Sequence, residues 1–142
     1  MGWRAEFVEA CAHMADLSGM PPSAVRVFGW LVVCEPPHQS AEDIRAALDL
    51  SAGAVSTATA MWVRMGAVER IHVPGQRRLF YRLRPGGWER LMRMRLEATS
   101  EMCRIAEHAL TRARGPQPRL VEMHALYRRF EEALGRLLDG GG

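Results

Sequence analysis

The sequence predicts a mainly α-helical protein with one small β-hairpin. Three observations predict it. Apolar residues recur at helical spacing through most of the 142 positions. Two helices, each opened by its own N-cap residue, are joined by only about three residues. Between residues 67 and 84 the period changes from 3.6 to 2, and then returns to 3.6. Hydrophobic residues at 48% and charged residues at 25% exclude a disordered chain. A chain of this length buries a core without disulfides or a structural metal. Its cysteines, Cys11, Cys34 and Cys103, are widely spaced and odd in number, against a disulfide framework.

The elements follow in order. Trp3 to Leu17 sets Phe7, Ala10, Cys11, Met14 and Leu17 on one helical face, and Gly19 is a plausible stop. Pro21-Pro22 opens a second helix, where a proline in the first turn loses no hydrogen bond. From Ala24 to Cys34 that helix is apolar nearly all round, so it is expected at the buried centre, and Pro36-Pro37 ends it. Ser40-Ala41-Glu42-Asp43 reads as a capping box, followed by Ile44, Ala47 and Leu48 at helical spacing. Ser51 is a second N-cap, for a helix that runs to Met65 and is closed by Gly66. The short connection between these two helices forces a sharp bend, which makes a helix-turn-helix candidate.

Ala67 to Val73 then reads as a strand, and Leu79, Tyr81 and Leu83 alternate with Phe80, Arg82 and Arg84. Between them Pro74-Gly75-Gln76-Arg77-Arg78 is a turn carrying arginines, and Pro85-Gly86-Gly87 ends the hairpin. A long helix from about Trp88 to Arg114 is broken by Gly115-Pro116-Gln117-Pro118. A last helix, roughly Arg119 to Leu138, carries Leu120, Met123, Leu126, Tyr127, Phe130, Leu134 and Leu137. Gly140-Gly141-Gly142 reads as a frayed end.

Charge is uneven along the chain. Residues 55–95 hold nine arginines against Glu69 and Glu89, a local charge of +7, although the whole chain is only +3. A basic middle between acidic and neutral flanks suggests a face built for a polyanion. The longest apolar run, Val25 to Cys34, is interrupted by Arg26 and too short to span a membrane. No basic segment leads into an apolar stretch at the N-terminus, so no signal peptide is expected, and the location expected is cytoplasmic.

A buried helix, a capped helix, a short turn into a further helix and a two-stranded hairpin with a basic tip together resemble a winged helix-turn-helix domain. Ser51-Ala52-Gly53-Ala54-Val55-Ser56-Thr57 and Arg64-Met65-Gly66-Ala67-Val68-Glu69-Arg70 resemble the recognition helix and following strand of the MarR superfamily. With Pro21-Pro22-Ser23-Ala24-Val25-Arg26-Val27-Phe28-Gly29-Trp30-Leu31 upstream, the sequence is most similar to the GbsR-like branch. The similarity covers about residues 19–95.

The resemblance implies a homodimeric, sequence-specific DNA-binding transcriptional regulator, of the repressor kind. It implies a dimerisation helix in residues 1–18, the winged domain in 19–87, and a long helix plus dimerisation helix in 88–142. Dimer contacts are then expected at Phe7, Cys11, Met14, Leu120, Met123, Tyr127, Phe130 and Leu134. DNA contacts are expected at Ser51, Gly53, Ser56, Thr57, Ala60 and Arg64 of the recognition helix and at Arg77 and Arg78 of the wing. The expected partners are double-stranded DNA, a second copy of the chain and a small-molecule effector, with no membrane and no cofactor.

Spacing supports this face independently. Val55, Thr59 and Trp62 fall at i, i+4 and i+7 and should pack on the buried helix, leaving the small and hydroxyl residues opposite. Small residues let a helix sit deep in a major groove. The face formed by Ser51, Gly53, Ser56, Thr57 and Ala60 carries no Arg, Asn or Gln for bidentate base contacts, so shape and wing contacts should carry more of the readout.

Other readings are open. Winged helices also bind proteins. His108 and His124 with Glu107 could meet as a metal site across two helices, although no H-E-x-x-H or C-x-x-C spacing is present. Cys11 or Cys103 could sense oxidants, but neither has an activating partner in sequence, and a buried apolar thiol is the plainer reading. Trp30 and Trp62 read as core; Trp88, at the start of the long helix, stands apart. No Gly-rich phosphate loop, G-x-S-x-G or telling carboxylate pair is present, so the chain is not read as an enzyme.

Overall fold

A computed structural model describes residues 2–140. The chain divides into two compact units, one ending at Gly87 and the other beginning at Trp88. The first unit contains α1 (Trp3–His13), α2 (Ala15–Ser18), α3 (Pro22–Val33), β1 (Gln39–Ser40), α4 (Ala41–Leu48), α5 (Ala52–Arg64), β2 (Val68–His72) and β3 (Leu79–Leu83). The second consists of α6 (Gly87–Arg112, whose first residue closes the first unit) and α7 (Pro118–Asp139). The fold is mainly helical with a small antiparallel sheet, in winged-helix form.

Helix α3 is the centre of the first unit. Ala24, Val27 and Leu31 are buried, and Val55, Ala58 and Trp62 of α5 pack with them. The Trp62 indole N–H donates to the Ala24 carbonyl at 2.9 Å, and its ring lies 4.6 Å from that of Phe28. Thr59, also buried, donates its hydroxyl to the Val55 carbonyl at 2.8 Å, so the core holds a polar group at no loss of hydrogen bonding. Ile44 of α4, Val68 of β2 and Phe80 of β3 are buried with this core.

The N-terminal segment departs from the expected single helix. It breaks at Met14, and the residues buried against α3 are Val8 and Ala12 of α1 and Ala15 of α2. Phe7, Met14 and Leu17 point outward, Leu17 with 82% of its surface exposed. The segment has apolar residues on two faces, and the face with the smaller side chains packs close to Gly29 of α3. Cys11 lies at the edge of this contact, where a Cβ on Gly29 would stand 3.6 Å from its own. Arg26 clamps α1 to α3 through both carboxylate oxygens of Glu9, at 3.1 and 3.2 Å, and this contact holds the Glu9 carboxyl below its usual range.

The sheet has three strands in the order β1-β3-β2, all antiparallel. Sequence reading finds β2 and β3 but misses β1, which is two residues long and too short to show a period. Its pairing, Gln39 with Tyr81 and Ser40 with Phe80, fastens the start of α4 to the wing. Buried Gln39 is satisfied on both sides: it accepts from the Trp30 indole and donates to the Pro36 carbonyl, each at 3.0 Å.

In the second unit α6 and α7 form an antiparallel helical hairpin. Glu107 meets His124 at 3.0 Å and Arg128 at 3.3 Å, and Arg93 approaches Asp139. Cys103 and Ala106 of α6 are buried, whereas no residue of α7 is.

Candidate nucleic-acid interface

The helix-turn-helix is built by two side-chain caps and one left-handed residue. Ser40 Oγ accepts from the Asp43 N–H at 3.1 Å while Asp43 accepts from the Ser40 N–H at 2.9 Å, so both halves of the capping box form. The Ser40 N–H holds the Asp43 carboxyl below its usual range. Asp49, with φ of 52°, ends α4 in the left-handed conformation that a short polar side chain tolerates. Ser51 then caps α5 by accepting from the Ala54 N–H at 3.1 Å. Three residues, 49 to 51, therefore separate the two helices.

With Val55, Ala58, Thr59 and Trp62 buried, the opposite face of α5 is exposed. Gly53, Ser56, Thr57 and Arg64 lie open to solvent and Ala60 is partly covered, all along one stripe. Ser51 is exposed as well, but its hydroxyl is committed to the cap. Gly53 is distinctive: a Cβ built on it meets nothing within 4 Å, and its φ lies outside the left-handed region. Nothing in the described fold requires a glycine there.

The wing is β2, β3 and the turn between them. Pro74 and Gly75, the latter with φ of +81°, occupy the central positions of a turn closed by the Gln76 N–H on the Val73 carbonyl at 3.0 Å. Proline then glycine with positive φ is the type II pattern. Arg77 and Arg78 follow, both exposed. Among the described residues no carboxylate pairs with Arg77 or with Arg64. Arg78 differs: its guanidinium reaches Glu42 of α4 at 3.4 Å and lies 5.9 Å from the Phe80 ring centroid. Arg82 is paired across the strands with Glu69 at 2.7 Å.

The nine arginines of the basic stretch are divided between the two units. Arg90, Arg93 and Arg95 fall on α6, in the second unit, and Arg93 is bound to Glu89. In the first unit the open cations are Arg64, Arg70, Arg77 and Arg84, with Arg45 exposed on α4. In the sequence Arg45 lies within an acidic stretch, which masks it in a charge count. The Glu42–Arg78 pair carries no local sequence signal, because its members are 36 residues apart.

The residues expected at a dimer contact are divided between the units. Phe7 and Met14 are exposed on the N-terminal segment, and Cys11 is half-buried against α3. On α7, Leu120 and Met123 are half-buried and Phe130 is 62% exposed. Tyr127, Phe130 and Leu134 line a groove of about 460 Å³ between α6 and α7, with Arg95 and Thr99 on its other wall.

The histidines gather no metal site. His124 meets Glu107, but no group of three or more His, Cys, Asp or Glu suited to an ion occurs among the described residues. Cys34 and Cys103 are buried thiols; desolvation pushes Cys34 up to about 11 and Cys103 in the same direction. No described helix is long and apolar enough to cross a membrane.

A capped helix-turn-helix with an arginine-bearing wing defines the class of HTH-type transcriptional regulators, and the comparisons agree. The chain is 38% identical over 140 residues to the HTH-type transcriptional regulator MmpR5 of Mycobacterium tuberculosis (strain ATCC 25618 / H37Rv), spanning 92% of this chain and 84% of the relative. A solved crystal structure of a transcriptional regulator matches with a TM-score of 0.77 and 34% identity, over 96% of this chain and 95% of the other. No protein-family model matches. The chain belongs to the family of HTH-type transcriptional regulators.

Proposed function

We propose that this protein is a MarR-superfamily regulator of the GbsR-like branch, which represses transcription by binding a pseudo-palindromic DNA operator as a homodimer. The observation that carries the reading is the α5 face: the small, exposed residues Gly53, Ser56 and Thr57 beside a wing whose Arg77 has no carboxylate partner among the described residues. A helix with such a face can sit deep in the major groove, with Ser56 and Thr57 offering hydroxyls to phosphates or base edges. Arg77 and Arg78 follow the neighbouring backbone or minor groove. Two copies place two recognition helices about one helical turn, ~34–36 Å, apart.

The second copy is supported by surface that one chain leaves uncovered. Helix α7 buries no residue along its 22 positions, and Leu126, Phe130 and Leu137 are 47%, 62% and 70% exposed. Leaving such surface in water costs about 25 cal/mol per Å², and a stable interface buries roughly 1,200–2,000 Å². A small-molecule effector acts by binding the DNA-competent and incompetent dimers with different affinity.

Selection of a random duplex pool by the purified protein tests the reading, with sedimentation run in parallel. The expected result is an enriched inverted repeat, weakened by Arg77→Ala/Arg78→Ala, and a dimer that Phe130→Glu/Leu137→Glu converts to monomer. A monomeric wild type, or no enrichment, overturns it. The lack of Asn and Gln on α5 favours one rival, a winged-helix module that binds protein. Phosphate contacts make affinity fall steeply with salt, whereas an apolar protein contact changes little.

A further inference from the structure

Within the reading of the wing as a DNA contact, we propose that Glu42 is its internal counter-ion, holding Arg78 in the free protein where a DNA phosphate takes over in the complex. The placement follows from the sheet. Ser40 pairs with Phe80 across β1 and β3, so the first turn of α4 opens directly beside the exit of the wing turn. Two acids stand in that turn. Asp43 is taken up by the capping box, where it accepts from the Ser40 N–H at 2.9 Å. Glu42 is the carboxylate left over, and it meets the Arg78 guanidinium at 3.4 Å.

The pair is built to exchange rather than to lock. Both side chains are largely exposed, 52% for Arg78 and 75% for Glu42, so solvent and salt screen their attraction. The Phe80 ring centroid lies 5.9 Å from the guanidinium, a contact that consumes none of the N–H donors of Arg78. A small cleft of about 220 Å³, lined by Ser40, Ala41, Glu42, Arg78, Leu79 and Tyr81, leaves the guanidinium open to an approaching anion. A phosphate offers Arg78 the same charge with better fork geometry. Binding DNA therefore replaces one anion by another at this arginine, whereas Arg77 has no such partner among the described residues to give up. The effect is a constant discount on affinity for any duplex, because phosphates carry no sequence information.

The test is a double-mutant cycle on the full-length protein, by fluorescence anisotropy at near-physiological salt. The probes are a duplex enriched by the wild type from a random pool and an unselected duplex of the same length. Glu42→Gln should tighten both duplexes about two- to fivefold, the range an exposed ion pair carries, and should do so in the same ratio. In the Arg78→Ala background the substitution should bring no gain. An equal gain in that background would overturn the proposal, showing general repulsion between the carboxylate and DNA. Weaker binding on Glu42→Gln would overturn it too, as would a gain on the enriched duplex alone. If Arg77→Ala and Arg78→Ala both leave binding unchanged, the wing itself is not a DNA contact and the proposal falls with that reading. Weakening by Arg77→Ala alone would refute the exchange and leave the wing standing.

Discussion

Gly53→Ala separates what the fold needs from what DNA needs. Gly53 is the second residue of α5, exposed, with a φ that any L-residue adopts and no atom within 4 Å of an added Cβ. Alanine is favoured over glycine in a helix interior by about 1 kcal/mol. In a first turn roughly half of that applies, so the variant should be more stable by about 0.5 kcal/mol. For a chain of this size that is a rise in Tm of about 1–3 °C. DNA affinity should move the other way. If the duplex approaches the helix where the side chain is missing, a methyl group overpacks that contact at roughly 1–3 kcal/mol, or about tenfold weaker binding at the lower half of that range. Thermal denaturation and anisotropy on one preparation give both numbers. A variant that is more stable and binds DNA as tightly as the wild type would refute the reasoning, because the glycine would then serve no close approach.

Two further predictions concern the fold. Gly87→Ala should destabilise by about 1–3 kcal/mol, because its Cβ would stand 2.8 Å from the Ala67 carbonyl oxygen, in backbone that is itself buried; an unchanged Tm would show that the start of α6 can shift freely. Asp43→Asn should lose stability at neutral pH and little at acid pH. The Ser40 N–H depresses the folded-state pKa of Asp43, so this contribution is complete above the unfolded value of about 3.9 and is lost as pH falls through the lower folded one. Urea midpoints of the two proteins should therefore converge below about pH 4, and a constant gap across pH would contradict the assignment.

Much of the fold was legible because its signals are local. Ser40 with Asp43 and Ser51 before Ala52 announce helix starts through backbone N–H groups only three residues away, and the structure forms both caps. The spacing of Val55, Thr59 and Trp62 marks the buried face of α5, since a helix repeats every 3.6 residues whatever it packs against. The switch to period 2 at residues 68 and 79 places both long strands. Exposure of Gly53, Ser56, Thr57 and Arg64 follows as the complement of that buried face.

What periodicity leaves open is which of two usable faces is chosen and which distant charges meet. Trp3 to Leu17 offers one face with Phe7, Met14 and Leu17 and another with Val8, Ala12 and Ala15. The second packs on α3, because small side chains let two helices approach closely, and nothing inside the segment states that preference. The strand Gln39–Ser40 exists only because β3 lies alongside it. A run of nine arginines reads as uniformly unpaired positive charge until the fold pairs Arg78 with Glu42 and Arg82 with Glu69. Caps, turns and periods are set by neighbours a few residues away, so the sequence alone determines the helix-turn-helix and the wing. The choice of packed face and the pairing of charges depend on residues brought together across the chain, and only the tertiary structure decides them.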